Sequence, residues 1–257
     1  MSDASVEVRD LTKIYTDDAR GEVRAVDGIS FTCRPGEVFG LLGANGAGKT
    51  TTLRMLSTVL SPTSGTATVA GFDIVAGAAD VRRSIGFYSS STALYPRLTA
   101  RETLEFFARI NRYPEAKVQA RVDEIISRFS MEPFASARVD KLSSGQKQKV
   151  SIARTIAHDP PVLVFDEPTV ALDVLAALDM RAVIGELRDA GKTVLFSTHV
   201  MSEAEKLCDR IAIIHEGRIH TTGTLASLRE ATGLHYLEDI FVHYVREARA
   251  DAEGVRA

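Results

Sequence analysis

Two cysteines in 257 residues, Cys33 and Cys208, are too few for a disulfide framework, and neither belongs to a Cys-x-x-Cys pair. Disulfide bracing and thiolate-held metal are therefore excluded as organising features, and buried reduced thiols in a cytoplasmic protein are expected. Long apolar runs are missing too. No stretch approaches the ~18 residues of a membrane-spanning helix, and the polar start MSDASVEVRD lacks the apolar core of a secretion signal. Work at a membrane would require a partner that supplies the membrane part. Nor is positive charge in excess: 31 Lys and Arg against 34 Asp and Glu leave a net charge of −3, which gives no basic footprint for nucleic acid. What remains, 45% hydrophobic and 25% charged, is the composition of an ordinary globular chain with one large domain.

Against that plain background one segment stands out. The apolar run VFGLL (Val38 to Leu42) reads as a buried strand, and it runs directly into Gly43, Ala44, Asn45, Gly46, Ala47, Gly48, Lys49, Thr50 and Thr51. This is the phosphate-binding pattern Gly-x-x-x-x-Gly-Lys-Thr. Glycines at 43, 46 and 48 let backbone N–H groups curl around phosphate oxygens where a Cβ would obstruct them. Lys49 adds a point charge, the Thr50 hydroxyl suits Mg²⁺, and the helix that follows points its positive end at the anion. The spacing predicts binding of a nucleoside triphosphate with Mg²⁺.

Strand and helix signals alternate along most of the chain, which predicts an α/β fold with a mainly parallel sheet covered by helices. The first third differs, because SVEV, GISFTC and GTATVAGF are short alternating runs between Gly, Pro and Asp turns, the pattern of an antiparallel sheet. From Thr99 to about Ser136 the pattern is helical. Thr99 and Glu102 form a capping box, and a second helix after Pro114 carries Val118, Val122, Ile125, Ile126 and Phe129 on one face as core. Strands return at VLVF, TVLFS and RIAII, with Gly191 placed to stop the helix between the first two. The closing REARADAEGVRA is charged and small, which predicts a frayed tail.

Ligands of open parallel sheets bind beyond the carboxyl ends of the strands. VLVF ends in Asp166 and Glu167, which places Asp166 to hold the ion through a water and Glu167 to polarise an attacking water. Thr198 and His199 end the next strand in the same way. In LSSGQKQK, Ser143, Ser144, Gly145 and Gln146 open a helix with a hydroxyl, backbone donors and a positive dipole end, which makes a second phosphate site.

Leu142 to Gln146 closely resemble the LSGGQ signature of ATP-binding cassette (ABC) transporters. The resemblance extends from about Val6 to Gly223, with LTKIY, GANGAGKTT, LSSGQ, VLVFDEP, ALD (Ala171 to Asp173) and FSTH in the family's order. It implies a P-loop NTPase (RecA-like) core with an N-terminal antiparallel β subdomain and an inserted helical subdomain at about 92–158. Residues 1–230 would then form a single nucleotide-binding domain, and 231–257 a C-terminal helical extension and flexible tail. It also implies that two copies sandwich two ATP, the signature of one closing on the γ-phosphate held by the loop of the other. By the same resemblance Tyr15 stacks on adenine, Glu167 is the general base, His199 contacts the γ-phosphate, and Asp173 links the two sites across the dimer.

Four positions depart from the family pattern, two of them consequentially. Ser90, in IGFYSSS, stands where many relatives carry a metal-reaching Gln, and Ser144 stands where the signature usually has Gly. Ala44 and Ala171 replace the commoner Pro and Gly. SSGQKQKVSIARTIAHDPPVLVFDEPT, FSTHVMSEAEKLCDRIAIIHEGRI and LEDIFVH are similar to the sodium-exporting NatA-type subunits. The resemblance implies an ATPase subunit on the inner face of the cell membrane, driving export through a separate permease that contacts Tyr88, Leu94, Tyr95 and Leu98. Sodium is the implied cargo, with drugs, lipids or polysaccharides as alternatives. A soluble cassette that switches a macromolecule is the second reading.

Overall fold

The computed structural model describes residues 5–17, 21–89, 92–170 and 174–254. Its centre is a six-stranded sheet in the order β10 (Arg218–Gly223), β9 (Arg210–His215), β3 (Val38–Leu42), β8 (Thr193–Thr198), β7 (Val162–Asp166) and β6 (Ile85–Ser89). All neighbours pair in parallel except β10 on β9. β3, β7 and β8 are buried at every position, which is why VFGLL, VLVFD and TVLFST read as almost unbroken apolar runs.

The antiparallel sheet expected of the first third is present, in the order β2 (Gly21–Cys33), β1 (Val6–Asp17), β4 (Ser64–Val69) and β5 (Phe72–Asp73). Its first two strands run 12 and 13 residues, longer than the short segments the sequence suggests. The register between them shifts after Val8, Leu11 and Lys13, and such bulges interrupt the alternation by which a strand is recognised. A shared core of Leu11, Val26, Phe39, Leu53, Met55 and Val164 joins this sheet to α1 (Lys49–Leu56) and the central sheet.

After α2 (Ala78–Ser84) and β6 the chain forms the helical region: α3 (Ala100–Ile110), α4 (Glu115–Arg128) and α5 (Ser144–Thr155). Thr99 and Glu102 form the full capping box at α3, and Val118, Val122, Ile125 and Ile126 are the buried face of α4. Truncating one of these isoleucines to Ala would cost about 2 to 5 kcal/mol. α6 (Val174–Asp189) ends ahead of Gly191, whose φ of 81° breaks the helix before β8 as expected. Past α7 (Met201–Leu207), α8 (Leu225–Thr232) and α9 (Leu237–Gly254) close over β9 through Leu228, Leu237 and Ile240. α9 lies within 231–257, the segment for which a helical extension and flexible tail were expected, and its backbone is helical as far as Gly254.

Candidate functional site

The site lies at the carboxyl ends of β3, β7 and β8. From Leu42 the chain enters the Gly43–Gly48 loop, and α1 starts at Lys49. Gly48 has a φ of 105°, and a Cβ there would sit 2.5 Å from the Ala25 carbonyl of β2, so no other residue fits. At Gly43 a Cβ would collide with the Ile214 carbonyl. The loop is braced from outside, for the Gly217 N–H donates to the Ala47 carbonyl at 3.0 Å. Gly48 caps α1 without a side chain, and the first backbone bond of the helix runs from the Thr52 N–H to the Gly48 carbonyl. The N–H groups ahead of Thr52 are the orphan donors of a helix start. They border a cleft of about 300 Å³ lined by Ala25, Glu167 and the loop from Asn45 to Thr51.

Lys49 is only 4% exposed. Its ammonium donates to the Gly43 and Ala44 carbonyls at 2.8 and 3.1 Å and pairs with Glu167 Oε1 at 3.1 Å. Three donors thus have three oxygens. Glu167 Oε2 lies 3.1 Å from His199 Nδ1, so one carboxylate stands between the loop lysine and the histidine that follows β8. The Glu167 backbone has a φ of 47°, the left-handed region, where a non-glycine residue costs on the order of 1 kcal/mol and persists only if its surroundings hold it.

Asp166 is buried, and its Oδ1 accepts from the Thr50 hydroxyl at 3.0 Å and from the Ser197 hydroxyl at 2.8 Å. A hydroxyl beside a carboxylate is the hard-oxygen pair that suits Mg²⁺, an ion that takes few protein ligands and completes its shell with phosphate and water. Thr50 and Asp166 fit that ion. Among the described residues no cluster of three His, Cys, Asp or Glu forms a self-sufficient metal cage.

Tyr15 is 40% exposed on β1 opposite Val23, with Lys13 Nζ 5.4 Å from its ring centre. Val23 is two residues from the cleft-lining Ala25, about 7 Å along the strand. The signature residues are elsewhere. Ser143 caps α5 by a complete box with Gln146; Ser143, Ser144 and Gly145 are exposed, and none of the four lines the cleft. Ser90 and Asp173 lie outside the described residues.

A separate groove of about 560 Å³ is lined by Tyr88, Leu94, Pro96, Lys147, Gln148 and Val170, among others. Tyr88 forms part of its buried wall, Tyr95 is 52% exposed against Phe106, and Leu98 is not among the lining residues. Ser197 went unnoticed in the sequence although it is fully buried: besides bonding Asp166, its hydroxyl accepts from the Glu167 N–H at 3.0 Å. A hydroxyl next to Thr198 at the end of an apolar run was the available signal.

The family described as ABC transporter matches residues 26–170. The chain is 42% identical over 226 residues to the ABC transporter ATP-binding protein NatA of Bacillus subtilis (strain 168), covering 88% of this chain and 92% of that one. It is 41% identical to the Nod factor export ATP-binding protein I of Paraburkholderia xenovorans (strain LB400), covering 89% of this chain and 73% of that one. Among solved structures, an ATP-binding subunit of an ABC transporter superposes with a TM-score of 0.84 at 31% identity, over 93% of this chain and 99% of the other. The dimeric post-hydrolysis ATP-binding cassette MJ0796, bound to ADP and Pi, gives 0.76 at 27% identity, over 85% and 98%. With the phosphate loop, the paired acids and the signature helix found in that family's order, the chain belongs to the ABC transporter family as an ATP-binding subunit and is an ATPase.

Proposed function

We propose that two copies of this chain close around two ATP and drive export through a separate membrane permease, hydrolysis at Glu167 resetting the pair. One observation carries the reading: the phosphate cleft is built on one side only, while the Ser143–Gln146 helix start is exposed and borders no part of it. A second copy would bring that helix start to the open side. Each copy then holds the loop of one site and the signature of the other.

Within a site, the loop amides and Lys49 bind the phosphates, Thr50 and Asp166 hold Mg²⁺, and Tyr15 carries the adenine. An ion held there would supply neutralisation of phosphate charge. Phosphate entering the cleft competes with Glu167 for Lys49, which frees the carboxylate to take a proton from water. His199 orients that carboxylate and meets the γ-phosphate, and the partner's signature donors complete the shell. Ser90 and Asp173 are assigned to metal contact and to the link between sites.

The groove beside Tyr88 and Leu94 is proposed to receive a short permease helix. Gln148 connects it to the site, since its amide lies 3.5 Å from the Tyr88 hydroxyl and 3.3 Å from the Pro168 carbonyl next to Glu167. Among the described residues no helix is long and apolar enough to cross a membrane, in keeping with a peripheral subunit on the inner face. Sodium is the proposed cargo, from the likeness to NatA-type subunits. Export of a larger solute is the second reading, favoured by the likeness to a Nod factor export protein.

Glu167→Gln should bind ATP and form a stable dimer in gel filtration with ATP and Mg²⁺. A monomer that hydrolyses at the parental rate would overturn the reading. For the cargo, inverted vesicles containing the subunit and its permease should accumulate labelled sodium on addition of ATP. Vesicles that show ATP-driven uptake of another solute, with none of sodium, would reject sodium.

A further inference from the structure

Glu203 is a carboxylate that the nucleotide chemistry leaves unused. It sits in the first turn of α7, where an acidic residue ordinarily faces the helix's own amides or solvent. Here it is only 7% exposed, and its Oε2 accepts two hydrogen bonds from outside the helix. The Thr169 hydroxyl donates at 2.6 Å and the Thr198 hydroxyl at 3.1 Å. Both bonds end on one charged oxygen, the strong class of hydrogen bond.

The position of those threonines gives the contact its meaning. β7 and β8 pair in parallel as far as Asp166 opposite Ser197, and the Glu167 N–H still reaches the Ser197 carbonyl at 3.2 Å. There the ladder ends and the two chains diverge. One passes through Glu167, with its φ of 47°, to Pro168 and Thr169; the other passes through Thr198 to His199 and α7. Glu203 bridges the gap just past the last backbone bond. The Glu167–His199 contact spans the same gap at 3.1 Å.

We propose that Glu203 is a positioning residue for ATP hydrolysis, its carboxylate joining Thr169 to Thr198 and so fixing the Glu167 segment relative to His199. The inference rests on the assignment of Glu167 as general base and His199 as its partner. The loop that binds the phosphates is held independently, by Gly217 and β2, so loss of Glu203 acts on the chemical step and spares nucleotide affinity. Displacing a reacting group by an ångström can cost about a hundredfold in rate.

The test is steady-state ATPase kinetics of the full chain with Mg²⁺. Glu203→Leu should lower kcat by about ten- to a hundredfold and leave KM for ATP within about twofold, the sign of an interaction used in the transition state. Glu203→Gln keeps an acceptor oxygen for both hydroxyls and should stay within about threefold of the parent. In a His199→Ala background the Glu203→Leu effect should largely vanish, because the pair it positions is already broken. Parental kcat in Glu203→Leu, KM rising in step with the loss of kcat, or Glu203→Gln as slow as the leucine variant would each overturn the proposal. If the leucine variant does not fold, Thr169→Val takes its place: kcat down several-fold at constant KM supports the bridge, and parental kcat overturns it. Glu167→Gln is measured alongside. Parental hydrolysis in that variant would reject the base assignment itself, whereas an inactive Glu167→Gln beside a fully active Glu203→Leu would reject only the positioning role.

Discussion

The chain contains two helix starts suited to phosphate, and they are built in opposite ways. α1 begins with Gly48, a left-handed residue with no side chain, pressed against β2 and the turn at Gly217. α5 begins with Ser143, which caps itself through Gln146 and stands exposed. The first has orphan amides, a buried lysine and two strand-end carboxylates converging beside it, and can hold an anion alone. The second has little beyond its own capping box. Its serine hydroxyl accepts from the Gln146 N–H and still has a proton to donate outward. Under the proposed reading a phosphate is held at α1 and only completed by α5. The difference assigns binding to one helix start and closure to the other.

Lys49→Ala should break the comparison most severely. It removes the buried cation and leaves the Glu167 carboxylate beside loop carbonyls, so ATP affinity measured by equilibrium binding should fall by about a hundredfold or more. Unchanged affinity would remove α1 from the account. Ser143→Asp is the matching change at α5. Asp is as good a helix cap as Ser, so the fold is kept while a negative charge meets the incoming phosphate. Affinity of the single chain for ATP should stay within about threefold while hydrolysis falls by about a hundredfold, the loss expected when a donor to the transition state is replaced. Equal losses in both quantities would mean that the two helix starts are not divided in this way.

How much of this was legible in the sequence follows from how local each feature is. The box at Thr99 and Glu102 is a four-residue pattern and is present, and the helix start expected at Ser143 is also present. Asp166 and Glu167 were legible because a fully buried strand leaves an abrupt change from apolar to acidic where it emerges. Glu203 was not. MSEAEKL reads as a surface helix with solvated acids, and its partners lie 34 and 5 residues away on two other segments. The long hairpin of β1 and β2 was missed because bulges, with Asp10 at a φ of 48°, break the period of two. The helix of 237–254 agrees with the helical extension that the family resemblance implied, and its first turns carry Leu237, Ile240, Phe241 and Tyr244 as an apolar stripe, whereas the charged, small residues that follow carry none.

A smaller effect separates the far ends of the same two regions. Beyond the last turn of α5, the His158 Nε2–H donates to the Ile85 carbonyl at 3.0 Å, and burial pushes its imidazole down to about 4 despite that bond and the nearby Asp159. The folded chain therefore binds fewer protons there than the unfolded chain, whose histidine titrates near 6.5. Stability is fully present above pH 6.5 and is lost as pH falls toward 4, by at most about 3 kcal/mol. His158→Gln keeps a donor and does not titrate, so its urea midpoint should vary less over that window than the parent's. Parallel pH profiles would contradict the buried-histidine explanation.

The most direct measurement mixes two inactive variants. Lys49→Ala has a dead loop and a sound signature; Ser143→Asp has the reverse. If each site joins the loop of one copy to the signature of another, random pairing makes half the dimers mixed, each with one sound site of two. ATPase activity of the equimolar mixture should then recover to about one quarter of the parent's. A mixture no more active than the sum of its two components, with dimers present, would contradict the shared site.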